Sequence, residues 1–330
     1  MKLKISFYNY WIKSYIYFLI ITGVILSVTF LDRSQFPDYG NYVINYNDYL
    51  AGTISPGMEK SFSYMAALAN YFGDVSLLFI MYSALAIGIK FYAILKHSSI
   101  VLLSLLLYLS FYYTLHDIIQ IRVAVSCSFF VLFFYAIVES KKSIAFVFFL
   151  ASLFFHLQAI FITVYCIYLW LARSVAMMIF TIVGSYVLGK YFILKLVLYF
   201  VTLFSSYVPS KIIRDVLYFN ENIEGINLLN QHVLVPVAAM LFYLYLLKID
   251  KIKKIELFFL KTICFALCML FLFQSINVIA WRVFEFFNVM TIFYLPALVM
   301  RFKQKYMVIL FVCSYVLANL YVSFQFWGVF

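Results

Sequence analysis

Charge is what this chain lacks. Only 11% of its 330 residues are Asp, Glu, Lys or Arg, whereas a soluble domain carries about 25%. With 67% hydrophobic residues and a mean hydropathy of +1.03, it cannot cover a water-facing surface. Lipid satisfies no backbone polar group, so spanning segments are helices or a closed barrel. The apolar runs lack the alternation that a barrel strand needs. The expectation is therefore an all-α, polytopic integral membrane protein. Other absences narrow the chemistry. No glycine-rich phosphate loop and no His/Cys/carboxylate cluster with ligand spacing stands in the sequence, so neither a nucleotide, a metal nor another cofactor is expected. The five cysteines all lie in apolar stretches, where packing accounts for them. No carboxylate is read as buried in mid-span, which argues against a proton-coupled pump. An internal repeat of the transporter kind is not visible either.

The net charge of +11 raises nucleic acid as a partner, but the placement of the charges excludes it. Lys2, Lys4, Lys13, Lys90, Lys96, Lys141, Lys142, Arg173, the Lys248–Lys261 cluster, Arg301, Lys303 and Lys305 are assigned to cytoplasmic ends. Asp32, Asp38, Asp48, Glu59, Asp215, Glu221 and Glu224 fall in the opposite loops. This is the positive-inside bias. It places the N-terminus inside and the larger polar loops, about 32–61 and 209–231, outside.

A span needs about 20 apolar residues. On that rule the chain is one transmembrane helical domain of roughly eleven spans, beginning with a retained span at about 15–31. Residues 62–73 read as an interfacial helix. Spans follow at 74–95, 98–115 and 118–138, then at about 232–247, 256–277, 283–300 and 306–326. The stretch 144–172 admits two layouts. It is either a hairpin of short helices with His156 at the outer bend, or one tilted helix of about 43 Å followed by spans at 174–189 and 191–208.

Polar side chains inside spans are expensive and functional by default. In FYYTLHDIIQIRVAVS (111–126), His116 and Gln120 are four apart and share a helix face. Arg122 points about 120° from His116, on a face with Ser126. Arg122 sits in the first turn of its span, either snorkelling to a lipid phosphate, paired with Asp117 or Asp74, or held for function. His156 stands alone in FLASLFFHLQAIFITV, either as a hydrogen-bonded packing residue or as a general base. Near the C-terminus, Arg282 and Glu285 are three apart and are expected to pair, leaving guanidinium donors suited to phosphate.

These segments resemble, in order and spacing, the EpsG-like branch of the Wzy-type polysaccharide polymerases. They are Asp38-Tyr39 in the first outer loop, PGMEKSFSYMAALANYFG, IRVAV around Arg122, FFHLQAI around His156, and WRVFEFF. The likeness runs from about 32 to 300. Two departures stand out: Gln158 replaces a small hydroxyl residue, and Met58-Glu59 replaces the usual Glu-Pro order. The resemblance implies a glycosyltransferase of a bacterial cytoplasmic membrane with its active site facing out. It would join undecaprenyl-pyrophosphate-linked oligosaccharide repeat units, and a chain-length regulator would be a further partner. A lipid-linked oligosaccharide flippase, an O-antigen ligase and an acyltransferase are the alternatives. On the family reading, Arg122 and Arg282 clamp pyrophosphate and His156 is the base or an acceptor-positioning group. Asp38, Tyr39, Glu59, Gln120 and Glu285 are the substrate-binding candidates.

Overall fold

The computed structural model describes residues 22–24, 34, 36, 38–53, 58–193, 195, 196, 199 and 227–327. Among them every regular element is helical. The expected first span at 15–31 and the outer loop at 209–231 lie largely outside the described residues. Six described helices are long and apolar enough to cross a membrane, and a seventh span forms if one bent pair is counted as a unit. The protein is therefore a multi-pass, all-α membrane protein. The chain folds into two compact units, residues 1–132 with 150–157 and 316–330, and residues 133–149 with 158–315.

In the first unit, α1 (Tyr39–Leu50) and α2 (Lys60–Tyr71) precede α3 (Ser76–His97). Leu78, Tyr82 and Ala86, one turn apart on α3, are fully buried, as a helical apolar stripe should be. Lys96 and His97 close its last turn, where positive charge complements the helix dipole. Helix α2 is too short to span, and it leaves Tyr64, Leu68, Tyr71 and Phe72 exposed. That pattern suits the headgroup boundary expected of an interfacial helix.

The next span is not a uniform helix. Helix α4 (Val101–Leu107) continues as a π-helix over Tyr108–Ile119, and the chain breaks at Gln120 before α5 (Ile121–Val138). This overturns the α-helical face shared by His116 and Gln120. The π-winding changes the spacing, His116 is completely buried, and Gln120 lies half-buried at the break. Two further corrections concern charge. Lys90 is no cytoplasmic end-charge: it is buried in α3 and pairs with the fully buried Asp117 at 2.8 Å. A buried carboxylate within a span therefore does exist, neutralised by its lysine.

Helix α6 (Lys142–Phe155) ends at His156, and a 3₁₀ turn (Leu157–Ile160) leads into α7 (Phe161–Leu171). The break divides 144–172 into two helices, as the hairpin layout expects, while the helix Val175–Tyr191 falls where the other layout places its next span.

The second unit is built on α10 (Lys254–Leu272), packed by α8 (Val175–Tyr191), α9 (Gln231–Lys248), α11 (Asn277–Asn288), and α12 (Thr291–Val299). Helices α11 and α12 are bent by 50° at their junction, and α13 (Lys305–Trp327) follows. Within the bend, Thr291 Oγ1 donates to the Asn288 carbonyl at 2.6 Å, and the Tyr294 hydroxyl donates to Asn288 Oδ1 at 3.1 Å. Side chains thus satisfy polar groups that the helix break would otherwise leave bare. In the first turn of α10, Glu256 caps the Lys253 amide at 2.8 Å and also pairs with Arg301.

Helices α8 and α10 touch backbone to backbone. A Cβ on Gly189 would run into the Phe271 and Leu272 carbonyl oxygens, whereas one on Gly184 meets nothing within 4 Å. Small residues allow such close approach between membrane helices. Gly189→Ala is therefore expected to cost about 1–3 kcal/mol or more through overpacking, while Gly184→Ala is neutral or slightly stabilising because a helical glycine is entropically costly. Thermal unfolding of both variants in nanodiscs checks this, and equal midpoints would contradict the contact.

Candidate active site

Three segments distant in sequence meet at Glu59, all within the first unit. Glu59 stands at the N-cap of α2, but its side chain makes no capping bond. It is turned instead toward Arg122 and His156. The Arg122 guanidinium donates to Glu59 Oε2 through Nη1. His156 Nδ1 lies 3.1 Å from Glu59 Oε1, and the Leu157 amide donates to the same oxygen at 3.3 Å. The carboxylate is only 12% exposed. Burial favours its neutral form, but the His156 hydrogen bond and the Arg122 charge outweigh burial and hold Glu59 down to about 2.

Each partner reaches Glu59 for a local reason. Arg122 is the second residue of α5, immediately after the break at Gln120. Its guanidinium lies over the rings of Tyr42, at 5.4 Å, and Phe62, at 5.9 Å, and Nη1 also reaches Met58 Sδ at 3.0 Å. Such stacking suits a weakly hydrated guanidinium. His156 terminates α6, its amide still donating to the Ser152 carbonyl at 3.1 Å. Four residues beyond Arg122, Ser126 Oγ donates to the Ser152 carbonyl at 2.9 Å. Ser152 Oγ returns a bond to the Ser126 carbonyl at 2.8 Å. This reciprocal pair fixes α5 against the end of α6 one turn from both site residues.

Comparison with known proteins supplies the family. The chain matches the family model described as "EpsG family" over residues 15–329. It is a member of the EpsG family. That is a family of Wzy-like polymerases, and membership is consistent with a membrane-embedded protein of polysaccharide biosynthesis. Searches of curated proteins and of solved structures found no match.

The other sequence candidates are placed differently. Arg122 pairs with Glu59 rather than with Asp117 or Asp74, because Asp117 is taken by Lys90. Tyr39 stacks on Phe79 at 5.2 Å, as a packing residue. Asp38 is half-buried at the N-cap of α1. Arg282 and Glu285 lie on α11 in the second unit. Among the described residues no ion pair joins them: Arg282 is exposed and Glu285 half-buried. A solvated guanidinium gains little from an i,i+3 partner. Gln158, the departure from the family pattern, donates through Nε2 to the Arg282 carbonyl. Among the described residues, no group of three or more His, Cys, Asp or Glu is gathered as metal ligands would be.

Proposed function

We propose that this EpsG-family protein is a polysaccharide polymerase that joins lipid-pyrophosphate-linked oligosaccharide repeat units at the outer face of a bacterial cytoplasmic membrane, with His156 as its general base. The observation that carries the reading is the Glu59 carboxylate held between His156 and Arg122. With Nδ1 donating to Glu59, the neutral ring carries its lone pair on Nε2. A base oriented by a carboxylate follows the logic of a catalytic triad.

The reaction runs as a substitution at the donor's anomeric carbon. An acceptor sugar hydroxyl attacks, and its proton passes to His156 Nε2. The bond between that carbon and the pyrophosphate oxygen breaks, and the electron pair leaves with the lipid pyrophosphate. Glu59 stabilises the imidazolium that forms. Arg122, stacked and salt-bridged, is a positioning residue that holds Glu59 ionised. Arg282, Glu285, Gln120 and Tyr39 enter no step of this reading, and Asp38 is a sugar-contact candidate at the start of α1.

The test is deletion of the gene followed by electrophoresis of the surface glycan. A polymerase defect leaves single repeat units in place of a ladder, and the wild-type gene restores the ladder. Loss of all attached glycan would instead indicate a ligase. Loss of export with lipid-linked units trapped inside would indicate a flippase.

A further inference from the structure

The first unit holds a second polar cluster, away from Glu59 and sealed inside its spans. Lys90 Nζ donates to both Asp117 oxygens, at 2.8 and 2.9 Å. The Tyr108 hydroxyl donates to Asp117 Oδ2 at 2.7 Å, and Ser83 Oγ donates to the Asp117 backbone carbonyl at 2.6 Å. Lys90 is 2% exposed and Asp117, Ser83 and Tyr108 not at all. His116, equally buried, rests against Tyr112 with its two ring nitrogens unpartnered. Substrate cannot reach any of these atoms, so the cluster takes no part in the chemistry described above.

Its place in the chain gives it another role. Asp117 lies near the end of the twelve-residue π-helix. π-helices are rare, mostly single turns, and frequent at functional sites. This one needs an anchor, because its backbone register against α3 is not set by an ordinary helical repeat. Ser83 grips the Asp117 main chain while Lys90 and Tyr108 grip its side chain. Three residues later the chain breaks at Gln120, and two residues after that comes Arg122. We infer that Lys90 and Asp117 are positioning residues for Arg122: the buried pair locks the π-helical segment onto α3 in the register that delivers the start of α5 to Glu59. Its bearing on polymerisation rests on the functional reading above, whereas the positioning itself is readable without any activity.

The experiment is a cycle of four proteins in nanodiscs: wild type, Glu59→Gln, the double variant Lys90→Met with Asp117→Leu, and the triple variant. The double variant removes both charges together and so leaves none unpaired in the bundle. Thermal midpoints are measured from pH 7 down to pH 3. Glu59 is faced by Arg122 and His156, with Tyr42 and Tyr82 beside Arg122. Subtracting the midpoint of the matching Glu59→Gln protein in each background isolates the carboxylate's share. In wild type the Glu59-dependent difference is large at pH 7 and falls on acidification. In the double-variant background at least half of that difference is lost, and its acid loss moves to higher pH. If the Glu59-dependent difference is the same in both backgrounds, the pair merely stabilises the bundle and the inference is overturned. Should the double variant not accumulate, Asp117→Asn, which keeps the side-chain shape, is read by the same two outcomes. A glycan ladder that survives loss of His156 would sink the functional reading while leaving this cycle's result intact.

Discussion

His156→Ala abolishes the glycan ladder and leaves single repeat units, with the protein still present in the membrane at wild-type amount. A positioned general base contributes about 10²–10⁴-fold to a rate, and a loss of that size leaves no visible polymer on a gel. The side chain is 22% exposed at the end of α6, so its removal opens no sealed core. The effect should therefore fall mainly on rate, with a smaller loss of stability from the lost bond to Glu59. Arg122→Lys should be milder, because a lysine keeps the charge beside Glu59 while losing the stacked, planar geometry over Tyr42 and Phe62. Quantitative immunoblotting alongside the glycan gel checks both variants. A full ladder from His156→Ala would remove the histidine from the mechanism.

The second large effect concerns stability and pH. Glu59 falls from an ordinary value of 4.5 to about 2 in the folded protein. A depressed carboxyl stabilises the fold above its unfolded value, and that contribution disappears as pH falls through the folded value. The window thus opens near pH 4.5 and closes near pH 2. The shift corresponds to about 3 kcal/mol at neutral pH, on the scale of 1.36 kcal/mol per unit. Glu59→Gln should lose about that much at pH 7 and show a flatter acid profile than wild type. Glu59→Ala should lose about 3–5 kcal/mol, since it also strands a half-buried Arg122. Unfolding in nanodiscs across pH is the check, and parallel wild-type and Glu59→Gln profiles would contradict the buried contact.

Arg122 and His156 were legible in the sequence because each is costly where it stands, and cost in a membrane is a local property. Their common partner was not. Glu59 belongs to a polar segment rich in candidates, and its bonds to residues 63 and 98 positions away leave no periodic trace. Read from the sequence it is a sugar contact; in the fold it joins the other two. Lys90 shows the same limit from the other side. Counting charges by span ends assigns it to the cytoplasm, but its long stem reaches Asp117, 27 residues on. The π-helix was invisible for a different reason: the composition of 108–119 suits α- and π-winding equally. At Arg282 and Glu285 the spacing permits a pair without compelling one. The helical class followed from composition, because a chain with so little charge has few alternatives to spanning helices.

The most direct measurement of the central claim uses purified protein in nanodiscs and lipid-pyrophosphate-linked repeat units extracted from the deletion strain. Chain length and released lipid pyrophosphate are followed together. The account predicts that wild type lengthens the glycan and releases one lipid pyrophosphate per linkage formed, and that His156→Ala does neither at a detectable rate. Equal extension by the two proteins, or lipid-linked units moved across the bilayer without any gain in length, would contradict it.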